Sequence, residues 1–312
     1  MNGMEILRSI PELSRLRGPI VLAIGVFDGV HLGHQAVIGT ALKHAAAVDG
    51  SAVVATFDPH PMKVLRPERA PHLLTATQHK LALIGSLGVK HVLLIRFDRS
   101  FASTAPETFI EQLVRCAQPL REICVGHEWS FGKNRSGNVD LLRTLGAKHG
   151  FEVVSSAPIT VSGETVSSTA IRRAIEAGDF GKAAAMLGRD YTILGTVTGG
   201  DRLGQKIGFP TANLSAHNEQ FPPNGVYCAE AQLDGEVVRG VVNLGYRPTV
   251  NPENEERILE IHLLDFDRQI YGKDLEVRFL RYLRPEKKFE NIEALVAQIR
   301  ADVNQARELC AS

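Results

Sequence analysis

The chain has little that would commit it to a membrane, a nucleic acid or an oxidising compartment. No apolar run approaches the roughly 20 residues that a helix needs to cross a bilayer. The N-terminal "MNGMEILRSIPELSRL" is broken by charges where a secretory signal carries an apolar core. Excess charge is absent: 35 Lys and Arg balance 35 Asp and Glu, so no global field draws the chain to polyanions. A small anionic ligand needs only a local site. Cysteine is scarce, and Cys116, Cys124, Cys228 and Cys310 form neither a CxxC pair nor a zinc spacing, which predicts reduced, mostly buried thiols. Internal repeats and low-complexity segments are missing as well. These absences predict a soluble cytoplasmic protein with small-molecule ligands and no nucleic-acid or membrane partner, monomeric or weakly self-associating. At 312 residues it is long enough for two ordinary domains.

What is present divides into two patterns. Up to about residue 160, short apolar runs ("PIVLAIGVF", "SAVVATF", "KHVLLIRF", "REICVG", "FEVVSSA") alternate with helical stretches at 35–48, 78–87, 106–116 and 138–149. Strands alternating with helices imply a parallel α/β sheet, which binds ligands beyond the carboxyl ends of its strands. From Tyr191 the runs "YTILGTVT", "GVYCAEAQL", "EVVRGVVNL", "RILEIHLLDF" and "DLEVRFLRYL" follow one another with Gly, Pro, Asn and Asp between them and no helix. That pattern predicts an antiparallel β-barrel or sandwich, closed by one amphipathic helix on Ile292, Leu295, Val296, Ile299, Val303, Ala306 and Leu309. The boundary falls near Leu187.

In the first half, "GVFDGVHLGHQ" (Gly25–Gln35) follows the first strand and runs into a helix starting near Leu32. Asp28-Gly29 permits a tight turn, and the amides and dipole at a helix start suit a phosphate. His31 and His34 project from that first turn and can donate hydrogen bonds to a polyphosphate as charge builds. Gly33 between them lets a nucleotide approach. A zinc site would need a third ligand, and none stands at a recognisable spacing. Alone, the pair is equally readable as two surface histidines at a helix start. Three other loops accompany it: "ATFDPHP" (Ala55–Pro61), whose prolines make a rigid wall; "VGHEWSFGKNRSGN" (Val125–Asn138); and "VSSTAIRRAI" (Val166–Ile175), with hydroxyls before a helix whose first turn carries Arg172. Ser167 or Ser168 can also serve as a simple N-cap.

In the second half, "GTVTGGDRLGQKIGFPTANL" (Gly195–Leu214) nearly forms a P-loop, but Gln205 stands where lysine is required. Its glycines can still surround phosphate. Thr211 and Asn213 place two oxygens on one face of an extended segment, suited to Mg²⁺, although "FPTANL" also reads as a proline turn entering a strand. Glu260 in "RILEIHLLDFD" either faces solvent or, beside ATP, deprotonates an attacking hydroxyl. "NLGYRPTV" (Asn243–Val250) reads as a turn, and Arg278, Arg281, Arg284, Lys287 and Lys288 as a solvated basic rim.

In that order, "GVFDGVHLGH", "FDPHP", "FGKNRSG" and "SSTAIR", then "GFPTANL" and "EIHLLDFD" (E-x-H-L-L-D-F-D), resemble the bacterial bifunctional riboflavin kinase/FAD synthetases over nearly the whole chain. The resemblance implies an α/β nucleotidylyltransferase-type domain at 1–186 and a riboflavin kinase β-barrel with a terminal helix at 187–312. It implies that riboflavin is phosphorylated to FMN and FMN adenylylated to FAD, with ATP as co-substrate and Mg²⁺ as cofactor. His31, His34 and Arg172 would act in adenylyl transfer, with Gly25, Phe27, Asp28, Gly29, Gly33, Ser168 and Thr169 around the same ATP. Asp58, Pro59, His60, Pro61, Glu128, Phe131 and Arg135 would hold flavin. In the kinase half Glu260 would be the base, Gly204 and Asn213 would contact ATP, and Thr211 with Asn213 would hold the metal. One departure is visible: where the family commonly shows G-x-[DN]-F-x-F-G, this chain has "GHEWSFG", with Glu128 and Trp129. Two rivals follow from the residues, a kinase beside a weak or inactive adenylyltransferase and a flavin-binding sensor without turnover.

Overall fold

The structure is a computed structural model that describes residues 3–199, 203–246 and 257–309. The chain forms two compact units, Met1–Leu73 with Thr77–Ala170, and Leu74–Ala76 with Ile171–Ser312. The units part at Ala170/Ile171, inside the helix Ser168–Glu176, whereas the sequence places the domain boundary at 186/187.

The first unit runs β1 (Glu5–Leu7), β2 (Ile20–Ile24), α1 (Leu32–Ala47), β3 (Ser51–Asp58), α2 (Pro61–Leu65), α3 (Thr77–Ser86), β4 (His91–Arg96), α4 (Arg99–Ala102), α5 (Pro106–Cys116), β5 (Leu120–Gly126), α6 (Val139–His149) and β6 (Glu152–Ser156). A small hairpin of β7 (Thr160–Val161) and β8 (Glu164–Thr165) follows. Six strands lie parallel in the order β1-β4-β3-β2-β5-β6. β2 is buried throughout because helices cover both faces. Its alternate side chains serve two cores. Ile20, Leu22 and Ile24 pack with Phe109, Ile110 and Leu142 of α5 and α6. Val21 and Ala23 face Val37, Ile38 and Ala41 of α1 and Leu81 and Ile84 of α3. Each such aliphatic side chain contributes about 1.5–3 kcal/mol when fully buried. Connections leave β2 toward β3 on one side and return to β5 on the other. The crevice outside the carboxyl ends of β2 and β5 is therefore the switch point where such sheets bind ligands.

In the second unit β9 (Thr192–Thr198), β10 (Ala212–Ala216), β11 (Gly225–Leu233), β12 (Glu236–Tyr246), β13 (Arg257–Leu263) and β14 (Asp274–Arg284) close into an antiparallel barrel, in the order β10-β13-β12-β11-β14-β9. Before the barrel come α7 (Ser168–Glu176), which begins in the first unit, and α8 (Phe180–Leu187); α9 (Leu203–Lys206) precedes β10, and α10 (Ile292–Leu309) ends the described chain. α10 lays Ile299, Val303 and Ala306 against Val226, Cys228 and Val241, and Arg284 grips the buried Asp302 carboxylate through Nε at 2.9 Å and Nη2 at 2.7 Å.

Several expectations are corrected. The charged N-terminus carries an edge strand, β1, and a 3-10 turn over Ile10–Arg15. The β-rich half does contain a helix, the single turn α9. Gly245 and Tyr246 of the expected turn belong to β12, which runs two residues past the expected strand "EVVRGVVNL", while 247–250 of that motif, and Gly200–Arg202 of the glycine-rich stretch, lie outside the described residues. Cys116 and Cys124 are free thiols, but Cys228 is disulfide-bonded; Cys310 lies outside the described residues. Part of the supposed solvated basic rim is paired, with Arg278 bridging Asp190 and Glu230, and Arg284 holding Asp302.

Candidate active sites

At the end of β2 the backbone turns through three left-handed residues, Phe27 (φ 54°), Gly29 (φ 85°) and Val30 (φ 42°). A β-branched residue there is strained, and burial of Phe27 (1% exposed) and Val30 (2%) holds the turn shut. Gly25 has a packing reason to be glycine, since a Cβ there would come within 2.8 Å of the Phe27 ring. The turn delivers His31 to the N-cap of α1, where its Nδ1 accepts from the His34 amide at 3.4 Å. An accepting Nδ1 leaves the ring proton on Nε2. The His31 and His34 rings stack at 3.6 Å and 18°, and Phe27 abuts His34 edge-on at 5.3 Å. A Cβ on Gly33 would lie 3.2 Å from the His31 ring, so glycine here also keeps that ring in place. Burial pushes His34 well below the usual histidine range, with His31 and Lys80 adding like-charge repulsion. Its imidazole is therefore neutral at physiological pH, and its buried Nδ1 has no hydrogen-bond partner among the described residues.

The hydroxyl question at α7 has a definite answer. Ser167 is the cap, its Oγ accepting from the Ala170 amide at 3.2 Å, whereas Ser168 Oγ donates to the Asp28 carbonyl at 3.0 Å. That bond ties the start of α7 to the turn before the histidines. Thr169 is exposed beside it, and Arg172 stands one turn further along α7, in the second unit.

The loops after β3 and β5 emerge at the same sheet edge, since both strands flank β2 in parallel register. Asp58 accepts from Thr77 Oγ1 at 2.6 Å. His60 caps α2 by accepting from the Met62 amide at 3.1 Å, with Pro61 as the first residue of that helix, after Pro59. In the loop after β5, Phe131 is buried and stacks beneath Trp129 at 4.4 Å and 15°. Phe131 thus supports the loop from below. Arg135 Nε donates to Ser130 Oγ at 2.7 Å, and the Glu128 side chain is 87% exposed.

The barrel site is set by register. Glu260 on β13 pairs across to Asn213 on β10 and to Asn243 on β12. Directly opposed residues share a face, and all three line a cavity of about 460 Å³ with Thr211. Val226, Val241, Phe289 and Ile299 give it an apolar lining, beside Arg284, Glu286, Lys287 and Asp302. A second cavity of about 440 Å³, reaching to Gln205, Phe266 and Tyr271, shares Thr211 and Asn213 as its wall. Two contacts fix that wall. His262 Nδ1 donates to the Pro210 carbonyl at 2.7 Å. Phe209 N donates to the Gly204 carbonyl at 2.8 Å, and a Cβ on Gly204 would collide with the Phe209 carbonyl oxygen. Among the described residues no group of three His, Cys, Asp or Glu could hold a metal; the side-chain oxygens of Thr211, Asn213, Asn243 and Glu260 line the same cavity.

Sequence reasoning placed Asn243 where a strand run meets a turn-like motif and gave it no role, and it missed Lys80. Lys80 shares with Leu81 and Ile84 the buried stripe of α3, a spacing visible in the sequence.

Comparison with known proteins joins these two sites. A family model described as FAD synthetase matches residues 14–170, and one described as riboflavin kinase matches residues 187–310. Proteins described as bifunctional riboflavin kinase/FMN adenylyltransferase are similar over nearly the full length. The Haemophilus influenzae protein is 35% identical over 97% of this chain and 98% of its own, and that of Escherichia coli K12 is 36% identical over 98% and 97%. The Bacillus subtilis protein is 37% identical over 92% and 91%. The chain belongs to the bifunctional riboflavin kinase/FMN adenylyltransferase family. Members of this family phosphorylate riboflavin and adenylylate FMN, and this chain is such an enzyme of flavin cofactor synthesis. Both activities imply ATP and a divalent metal. A solved structure described as a macrolide-efflux protein from Streptococcus pneumoniae shares the family fold from end to end, with a TM-score of 0.82 at 27% identity, covering 98% of this chain and 99% of its own. The transport named in that description stays with that protein; among the described residues no helix is long and apolar enough to cross a membrane.

Proposed function

We propose that the two chemistries divide near Leu187, adenylyl transfer at the β2–α1 turn and riboflavin phosphorylation in the barrel. The observation that carries the kinase assignment is the cross-strand alignment of Glu260 with Asn213 and Asn243 on the cavity wall. The apolar lining of the 460 Å³ cavity suits a flavin ring, and the neighbouring 440 Å³ cavity suits ATP. Riboflavin's 5′-hydroxyl then lies with Glu260, which takes its proton as the oxygen attacks the γ-phosphorus and ADP leaves. Thr211 and Asn213, hard oxygen donors between the cavities, fit Mg²⁺, which would supply charge neutralisation on the phosphates.

In the N-terminal unit the FMN phosphate attacks the α-phosphorus of ATP and pyrophosphate leaves. The nucleophile is already anionic, so no base is needed. The chain's residues orient the reactants and meet charge on the leaving group. His31 donates from Nε2, His34 buttresses it as a stacked neutral ring, and the α1 start adds positive potential. Ser168 holds the turn, with Thr169 beside it. The loops at Asp58–Pro61 and Glu128–Arg135 form the flavin side, where the exposed Glu128 and the stacked Trp129 mark the departure from the family pattern.

The test uses His31→Ala with riboflavin, FMN and ATP, products being separated by chromatography. FMN formation retained with FAD formation lost supports the division, and unchanged FAD formation removes His31 from the mechanism.

A further inference from the structure

Lys80 is a charged residue that the mechanism above leaves unused. It is 5% exposed and comes from the middle of α3. Its ammonium donates to the Val26 carbonyl at 3.2 Å, to Thr56 Oγ1 at 3.1 Å and to the Phe57 carbonyl at 3.1 Å. Thr56 Oγ1 in turn donates to Val26 O at 3.0 Å. All three donor directions of an ammonium are therefore used, one on the strand end that leads into the histidine turn and two on the neighbouring strand.

Burying an ammonium is costly, and a lysine serving only to fill space would be replaced by an aliphatic residue at no loss. The cost here falls beside the ligand edge of the sheet. Val26 is followed directly by the left-handed Phe27, whose ring abuts His34. Asp28 and Asp58, one in each strand-end loop, are the carboxylates whose charge favours the ammonium. Building on the assignment of adenylyl transfer to this turn, we propose that Lys80 is a positioning residue for that reaction. Its ammonium locks the ends of β2 and β3 to each other and so fixes the Val26–Val30 turn that presents His31 and His34.

The lock has an electrical side. Burial is the main cause that holds His34 below its usual range, with smaller contributions from the His31 ring and the Lys80 ammonium, and burial lowers Lys80 itself to about 8. The ionisable groups gathered here are Lys80 on α3, Asp28, His31 and His34 around the turn, and Asp58 ending β3. Removing the ammonium should let His34 protonate at higher pH, and deprotonating it should weaken the lock.

The experiment compares the full-length parent, Lys80→Gln, Lys80→Met and His31→Ala, following FMN to FAD and riboflavin to FMN across pH. Both Lys80 variants should lose about 100-fold in FMN adenylylation, the scale of a small misplacement of reacting groups. Riboflavin phosphorylation in the same samples should stay within about twofold. The acid limb of the remaining adenylylation should move upward, burial still holding His34 below the ordinary histidine range, a shift that a mere loss of folded molecules cannot produce. Adenylylation within about twofold of the parent, or a slower rate with an unmoved acid limb, overturns the proposal. If neither variant folds, the parent decides: adenylylation but not phosphorylation should fall as pH rises through about 8, and a flat alkaline profile overturns the proposal. Unchanged FAD synthesis in His31→Ala would instead fault the site assignment on which it rests.

Discussion

Replacing Glu260 by Gln is the most direct probe of the barrel site, because it changes one property and little else. Gln keeps the side chain's volume and its place between Asn213 and Asn243, so the pleat and the cavity wall remain as they are. What goes is the ability to take a proton. General-base assistance contributes about 10²–10⁴-fold in rate, or about 3–5 kcal/mol of barrel-site barrier at 1.36 kcal/mol per decade. Conversion of riboflavin to FMN should fall by that factor in kcat, with the KM for riboflavin little changed, since the apolar lining of the cavity is untouched. Glu260→Asp withdraws the carboxylate by about 1.5 Å, one carbon–carbon bond, and should fall between the two. The assay supplies riboflavin in one series and FMN in the other, with products resolved by chromatography. FMN should still be converted to FAD at the parental rate. Riboflavin phosphorylation by the Gln variant within about threefold of the parent would refute the reasoning.

Two further substitutions test the scaffold around this site. Gly204→Ala drives a Cβ into the Phe209 carbonyl and to 3.2 Å from Thr211 Oγ1; overpacking of this kind costs about 1–3 kcal/mol. The KM for ATP in riboflavin phosphorylation should rise about tenfold, with FMN adenylylation unchanged. Asp302→Ala leaves the Arg284 guanidinium without its carboxylate, a loss of about 3 kcal/mol for a largely buried pair. Hydrogen exchange in α10 should then accelerate by about two decades, and unaltered protection there would show that the pair does not hold the helix.

The strand–helix alternation and the later all-strand pattern were readable because periodicity reports which faces are buried, and β2 with its two cores is the plain instance. β1 was hidden: three residues on a sheet edge, supported by one neighbouring strand, leave no period to read. The site motifs were legible as chemistry but their division of labour was not. A single sequence cannot say that Ser167 caps the helix while Ser168 reaches back 140 residues to Asp28. Nor can it say that His60 is engaged in capping α2. Lys80 was concealed by its type, since lysine in a helix reads as solvent-facing, and its acceptors lie 23 and 54 residues away along the chain.

The double pairing of β13 has a consequence for how this enzyme can change. Shifting β13 by one residue would bring Leu259 or Ile261 to the place of Glu260 and turn the acid to the other face. In an open sheet such a slip disturbs one side or ends freely at an edge. In a closed barrel it must be matched around the whole ring, through β10, β9, β14, β11 and β12 in turn. Length differences are thereby confined to the connections, which can be lengthened, shortened or exchanged while the acid keeps its address. The barrel acts as a ruler for the reaction, and loop replacement is the route by which its substrate preferences can drift without loss of turnover.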